Sequence, residues 1–334
     1  MLNFARICVP LTLNCNLHCK YCYRDKEKLD KIPDFTDDMK EYLRNLSPDM
    51  CEAVIASGGE PLLHWNKVQE LFSYVPKNIH KKIMSNGILL TQEIVDYINE
   101  NNIELATSHD GPKTEFLRGV DILKNTKICD LVRQVKILRI VNVVTKYNTD
   151  VWECFFDTAS RLKRTDFEYV AVPMIDIPAQ FDLIDGFNYD EWFTTWSQFL
   201  VSPYRKISPW YKNRTLPLRK KSLRRPTSFN VLPNGIVCGM PDICSNYGTI
   251  HDDFKDIYNK KLSSGELEFC DNIKCKNMDT CHYVPICTSK HTFKWRSMIL
   301  DFWKKQENVD KLYGYVQKNM SNIEKKYNYI CKCN

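Results

Sequence analysis

No apolar run in the 334-residue chain reaches the roughly 18 residues needed to cross a bilayer, so no membrane span is expected. The N-terminus also lacks a signal peptide. Met1 to Leu13 carries an internal Arg6 and no small-residue cleavage pattern, so it reads as a strand and the protein as cytoplasmic. There is no internal repeat and no low-complexity tract. One stretch lacks charge of one sign: from Tyr204 to Pro226 there is no acidic residue, while nine cations crowd between Arg205 and Arg225. Pro203, Pro209, Pro217 and Pro226 break any long helix there, which makes the stretch a domain junction. The expected organisation is a domain over residues 1–203, a basic linker over 204–228 and a smaller domain over 229–334. Hydrophobic residues at 43% and charged residues at 26% are ordinary for a globular chain, and the net charge of +6 is mild.

What the chain has in excess is cysteine. Fifteen are far too many for an inert protein in a reducing compartment, where disulfides are disfavoured and clustered thiols point to metal.

Through residue 200 the sequence alternates between two patterns. Short apolar, β-branched runs at Ala5–Leu13, Ala53–Ser57, Lys82–Ser85, Ile103–Ser108, Val135–Thr145 and Phe167–Pro173 read as strands. Helical periodicity occupies Thr36–Leu46, Trp65–Tyr74, Thr91–Asn101, Thr114–Asn125, Asp150–Leu162 and Tyr189–Leu200, several behind good caps such as Thr36 and Thr91. Such alternation predicts an α/β fold with a parallel sheet. Six repeats fall short of the eight of a closed barrel, so a partial (β/α)6 TIM-type barrel is expected, with a Cys-rich C-terminal domain. A last helix is predicted over Thr292–Tyr327. Cys8, Cys51, Cys129 and Cys154 stand alone in predicted strands and helices and read as small buried hydrophobes.

Cys15, Cys19 and Cys22 fall within eight residues just after the first strand. Three thiolates on one loop can converge on an iron–sulfur cube and leave one iron open for a small chelating molecule. A zinc site is the rival reading, but zinc wants a fourth ligand, and the local sequence offers none. Cys15-x3-Cys19-x2-Cys22, with Tyr21 before the last cysteine, resembles the signature loop of the radical S-adenosylmethionine (SAM) superfamily. Gly58-Gly59-Glu60-Pro61, after the second strand, is similar to that family's Gly-Gly-Glu-Pro segment, and the resemblance implies that this edge receives the SAM amino group. Ser85 and Asn86 match its ribose-side motif. Ser108, Asp110 and, a few residues on, Arg118 match its fourth-strand motif, which implies that Ser108 and Arg118 serve the SAM carboxylate. His109 departs from the apolar residue expected at its position and reads as a half-buried structural histidine. All these motifs end strands, where barrel folds place their active sites.

The C-terminal third resembles a SPASM domain, the auxiliary-cluster extension of many radical SAM enzymes. Cys238, Cys244 and the Cys281 to Cys287 segment carry the resemblance, with a terminal cysteine closing the pattern. It implies one or two auxiliary [4Fe–4S] clusters, one of them on Cys275, Cys281, Cys287 and Cys331 or Cys333. Two family cysteines fall here on Asp253 and His291, and Cys270 has no fixed place, so the second set stays open; structural zinc is the rival reading for the domain.

The resemblance implies reductive cleavage of SAM and abstraction of a substrate hydrogen by a 5′-deoxyadenosyl radical, with flavodoxin or ferredoxin as reductant. Peptide or protein modification is the first expectation: crosslinking, oxidation or epimerisation by a ribosomal-peptide maturase. Against it, the first barrel strand lies at the start of the chain, where a leader-binding domain would stand. Radical oxidation or rearrangement of a phosphorylated or nucleotide-like small molecule is the alternative, and the basic stretch suits an anionic substrate. A reading of another class, a non-catalytic iron–sulfur or zinc protein that binds nucleic acid, has no use for a SAM pocket.

Overall fold

The computed structural model describes residues 4–22, 32–48, 50–173, 182–183, 185–206, 229–238, 246–253, 256–257, 260, 302 and 305–328. The basic linker beyond Lys206 lies outside them, as do Cys244, Cys270, Cys275, Cys281, Cys287, His291, Cys331 and Cys333.

Six parallel strands, β1 (Phe4–Thr12), β2 (Cys51–Gly58), β3 (His80–Ser85), β4 (Glu104–Ser108), β5 (Leu138–Val144) and β6 (Glu168–Pro173), pair in chain order. Helices return the chain between them: α1 (Asp37–Arg44), α2 (Trp65–Tyr74), α3 (Gln92–Glu100), α4 (Thr114–Arg118), α5 (Thr126–Gln134) and α6 (Val151–Leu162). This is the partial parallel barrel expected from the alternation. At the other edge of the sheet β7 (Phe229–Val231) runs parallel to β1, and β8 (Ile236–Cys238) and β9 (Asn246–Thr249) follow antiparallel. Two further helices, α7 (Tyr189–Leu200) and α8 (Gln306–Lys326), are described.

Side chains alternate between the two faces of each strand. Ile7, Val9, Leu11, Val54, Ile83, Leu105 and Ile140 are 0 or 1% exposed and form the core under the helices. The opposite, inner face carries two layers. At the amino ends of the strands Glu104, fully buried, pairs with Lys82 (3.2 Å), Arg139 (2.8 Å) and His80 (3.0 Å), and Arg139 also holds Glu168 (2.6 Å). A carboxylate without solvent survives there because cations surround it. Towards the carboxyl ends the inner positions turn apolar: Met84, Ala106, Val141, Val143, Val170 and Val172. Met84 is 43% exposed while its neighbours Ile83 and Ser85 are buried, so this face lines an open space.

One segment departs from the sequence reading. The helix expected over Thr114–Asn125 stops at Arg118, because Gly119 takes a left-handed φ of 81°. Asp121 then caps a short 3-10 turn, and Asn125 caps a further helix, α5, in the stretch between the expected helix and the expected fifth strand, which the sequence reading left unassigned. Cys8, Cys51, Cys129 and Cys154 are buried, as expected. His109 is fully buried and not half-buried: its ring nitrogens face Thr158 at 2.8 Å and Asp121 at 3.3 Å.

Candidate functional site

The three cysteines of the first loop leave β1 at its carboxyl end and stand half-buried, none in a disulfide. The loop turns tightly, with the Cys22 N–H donating to the Cys19 carbonyl at 3.1 Å. Burial pushes the Cys19 thiol up, Arg118 pulls it down, and Cys22 and Cys15 push it up again. Cys19 therefore senses the other two sulfurs of the loop. Among the described residues no three His, Cys, Asp or Glu side chains come together to hold a single metal ion. A cube asks less of the loop than zinc does, because each thiolate takes a different iron. Three partly open thiols on one tight loop, with an amide donor beside Cys15 and a guanidinium beside Cys19, fit such a cluster.

The loop is held from two sides. On one side is the Gly-Gly-Glu-Pro segment. The Gly59 N–H donates to Thr12 O at 2.6 Å and the Glu60 N–H to Asn14 O at 2.8 Å. This approach requires glycine. A Cβ on Gly59 would stand 1.9 Å from Asn14 O, and one on Gly58, whose φ is 122°, would stand 2.2 Å from Thr12 O. Glu60 is 1% exposed, and both its oxygens are engaged inside the protein. Oε1 accepts from the Leu62 N–H (3.0 Å) and the Ser85 hydroxyl (2.8 Å), and Oε2 from the Asn86 N–H (2.7 Å). Burial pushes its carboxyl up, and these three donors pull it down. Glu60 thus fastens the end of β3 to the end of β2. Ser85 accepts in turn from the Gly87 N–H at 3.0 Å. Asn86 reaches back to the cysteine loop, its Nδ2 donating to Asn16 Oδ1 at 2.7 Å and lying 3.7 Å from Cys15 Sγ.

On the other side stand Tyr21, Asp110 and Arg118. Asp110 Oδ2 accepts from the Tyr21 hydroxyl (2.6 Å) and from Arg118 Nε (2.7 Å), while Oδ1 accepts from the Val143 N–H (2.8 Å). Asp110 is fully buried and Arg118 is 7% exposed. Burial opposes the guanidinium's charge, but Asp110, Tyr21 and Cys19 outweigh it and hold its pKa above the usual arginine value. Burial pushes the Tyr21 hydroxyl far up, so it stays protonated and donates. The guanidinium also lies 5.2 Å from the Tyr21 ring centre, with Nη1 4.0 Å from Cys19 Sγ. Ser108, half-buried on the inner face, pairs in register with Val141.

The structure therefore gathers Cys15, Cys19, Cys22, Tyr21, Gly58, Gly59, Glu60, Ser85, Asn86, Asp110 and Arg118 at one end of the sheet. Cys238 lies on β8, 1% exposed, and Asp253 is exposed. Sequence reasoning missed the acceptors and donors that lock the loop: the carbonyls of Thr12 and Asn14, the side chain of Asn16, the N–H of Val143, and the Leu117 carbonyl, which accepts from the Lys20 N–H at 2.8 Å. Only the asparagines flanking Cys15 gave a signal, since such residues favour loop hydrogen bonding.

The sequence profile of the Radical SAM superfamily matches residues 9–167. An uncharacterised protein of Methanocaldococcus jannaschii is 31% identical over 142 residues, 36% of this chain and 49% of that protein. The radical SAM cyclopropyl synthase TigE of Paramaledivibacter caminithermalis is 25% identical over 193 residues, 51% of this chain and 38% of TigE. The chain thus spans about half or less of these relatives. Among solved structures, native anSMEcpe with bound AdoMet and the Cp18Cys peptide superposes with a TM-score of 0.62 at 17% identity, over 93% of this chain and 99% of that one.

Proposed function

Because the chain carries a radical SAM superfamily domain at residues 9–167, we propose that it is an enzyme that cleaves SAM reductively on a [4Fe–4S] cluster and modifies a peptide or protein. The observation that carries this reading is the junction of the three-cysteine loop with the buried Tyr21–Asp110–Arg118 group at the carboxyl end of a parallel sheet. When bound, the cluster and SAM supply a 5′-deoxyadenosyl radical that takes a hydrogen atom from the substrate.

The chain's own residues do the rest. Cys15, Cys19 and Cys22 would hold three of the cluster's irons. Asn86 and Arg118 place N–H groups beside two of those sulfurs. The guanidinium keeps nitrogens beyond the one given to Asp110, and these would serve the SAM carboxylate together with the Ser108 hydroxyl. Gly58 and Gly59 bring backbone close enough for the SAM amino group to lie along their edge. Glu60 contributes as the bracket that sets this edge, since both its oxygens are committed inside the protein. The sequence reading set it against SAM itself, and three internal donors fix where its carboxylate stands for either part.

The inner face favours a peptide side chain over a phosphorylated metabolite. Met84, Val141, Val143, Val170 and Val172 line the open space, and the cations below them, Lys82 and Arg139, are committed to Glu104 and Glu168. Burying a phosphate on valines without a cation would be costly. A solved neighbour of the same fold with a bound peptide supports the same choice. In the C-terminal third, Cys275, Cys281, Cys287 and Cys331 or Cys333 would bind an auxiliary [4Fe–4S] cluster; Cys238 and Cys244 belong to the same domain.

The test is to incubate the anaerobically reconstituted protein with SAM, a reductant and any short peptides that open reading frames beside its gene encode. A peptide mass change that requires SAM supports the reading. Turnover of a phosphorylated metabolite, with every such peptide unchanged, would replace it by the small-molecule alternative.

A further inference from the structure

Phe116 and Tyr147 are 46% and 41% exposed, and their rings meet edge to face at 5.0 Å. Lys20 Nζ sits 4.1 Å above the Phe116 ring centre, and Lys146 Nζ lies 5.3 Å from that of Tyr147. Two aromatic rings left in water side by side, each under an ammonium group, mark an interaction surface more than scattered exposure does. The carboxylate nearest in sequence, Glu115, is offset by its ion pair with Lys124. The face is therefore apolar at its centre and positive at its edges.

Its position gives it meaning. Lys20 follows Cys19 directly, and its N–H is bonded to the Leu117 carbonyl. Leu117 is fully buried and packs with Tyr21, against Cys19. Arg118, next in the chain, reaches to 4.0 Å from Cys19 Sγ. Phe116 is thus the outermost member of a packed run, Phe116–Leu117–Arg118, whose inner end touches a cluster cysteine. Among the large apolar side chains exposed in the described residues, this is the ring pair joined to the cluster loop.

Resting on the proposed function, we infer that this face docks the protein that delivers the electron: a small, acidic one-electron carrier with a low-potential flavin or iron–sulfur group at its surface. The carrier loses one electron and the cluster gains it; no proton or group moves. Carboxylates around the carrier's redox group would meet Lys20 and Lys146, which speeds encounter, while the ring pair fills the desolvated centre of the contact. Docking here brings the donor to the Cys19 side along the packed run Phe116–Leu117–Arg118.

The test compares the parent with Lys20→Glu/Lys146→Glu and with Phe116→Ala/Tyr147→Ala, all reconstituted under anaerobic conditions. The probe is an acidic bacterial flavodoxin. Its binding is measured by calorimetry, and cluster reduction is followed by the loss of visible absorbance, with reduced flavodoxin or with dithionite as donor. The charge reversal is expected to weaken flavodoxin binding at least tenfold at low salt and to slow flavodoxin-driven reduction in proportion. Alanine at the rings is expected to weaken binding at every salt concentration. Dithionite needs no docking face, so dithionite-driven reduction should match the parent in both variants. Unchanged flavodoxin binding overturns the proposal. So does an equal loss with both reductants, which would mean that the residues support the loop and not a partner. A raised KM for the peptide substrate, with dithionite as reductant, would assign the face to substrate instead. A parent in which dithionite reduces no cluster would defeat the proposed function itself, and the docking face with it.

Discussion

Replacing Asp110 by alanine should be the most damaging single change near the cysteine loop that touches no cysteine. Asp110 accepts three hydrogen bonds, at 2.6, 2.7 and 2.8 Å, and is the partner that keeps the Arg118 guanidinium charged at 7% exposure. Removing one member of a buried, hydrogen-bonded ion pair costs about 3–5 kcal/mol, because the other charge is left without compensation. A whole domain is stable by about 5–15 kcal/mol, so the change consumes a large part of the total. Urea unfolding followed by tryptophan fluorescence should show the midpoint falling at unchanged slope. Asp110→Ala/Arg118→Ala should be less unstable than the two single losses added, by about 1–3 kcal/mol, since the second change removes the stranded charge. Tyr21→Phe, which deletes a single bond to the same oxygen, should cost less than Asp110→Ala. If Asp110→Ala costs under about 1 kcal/mol, or if the two changes simply add, the pair is not the buried clamp derived above.

Gly59→Ala should fold but lose iron, because its Cβ would stand 1.9 Å from the Asn14 carbonyl and the cysteine loop must move; normal iron content after reconstitution would show that the loop has room. Lys82 tests the ion cluster at the other end of the sheet: burial, then Arg139, lower its pKa to about 8, from an ordinary 10.5. Across that window the unfolded chain binds more protons than the folded one, so the stability of the parent relative to Lys82→Met should rise between pH 8 and 10.5, by up to about 3 kcal/mol. A difference between the two proteins that stays flat over that range would mean that Lys82 is not held in the buried cluster.

The strand–helix alternation was legible because the parallel strands are short β-branched runs and several return helices have a capped start. Thr36, Thr91 and Asp150 cap α1, α3 and α6 in the structure with the hydrogen bonds their side chains promised. The break at Gly119 was not, because apolar residues at helical spacing continue through Phe116, Val120 and Leu123 while only the backbone conformation at Gly119 stops the helix. The cysteine loop announced itself by spacing. What spacing conceals is the contact between distant segments. The bonds from Ser85 and Asn86 to Glu60 span 25 and 26 positions, those from Asn86 to the loop span 71 and 70, and that from Tyr21 to Asp110 spans 89. Motif resemblance set Glu60 toward a ligand; only the fold reveals that its oxygens also accept three bonds from the chain. His109 was misjudged for a related reason. Its partners Thr158 and Asp121 come from other elements, and together they make full burial affordable for an imidazole.

The most direct measurement is the formation of 5′-deoxyadenosine from SAM by the anaerobically reconstituted protein, with dithionite as reductant. The parent should produce it, and a variant with Cys15, Cys19 and Cys22 all changed to alanine should produce none while remaining folded, because alanine offers the irons no ligand atom. Undiminished SAM cleavage by the triple variant would contradict the assignment of the chemistry to this loop.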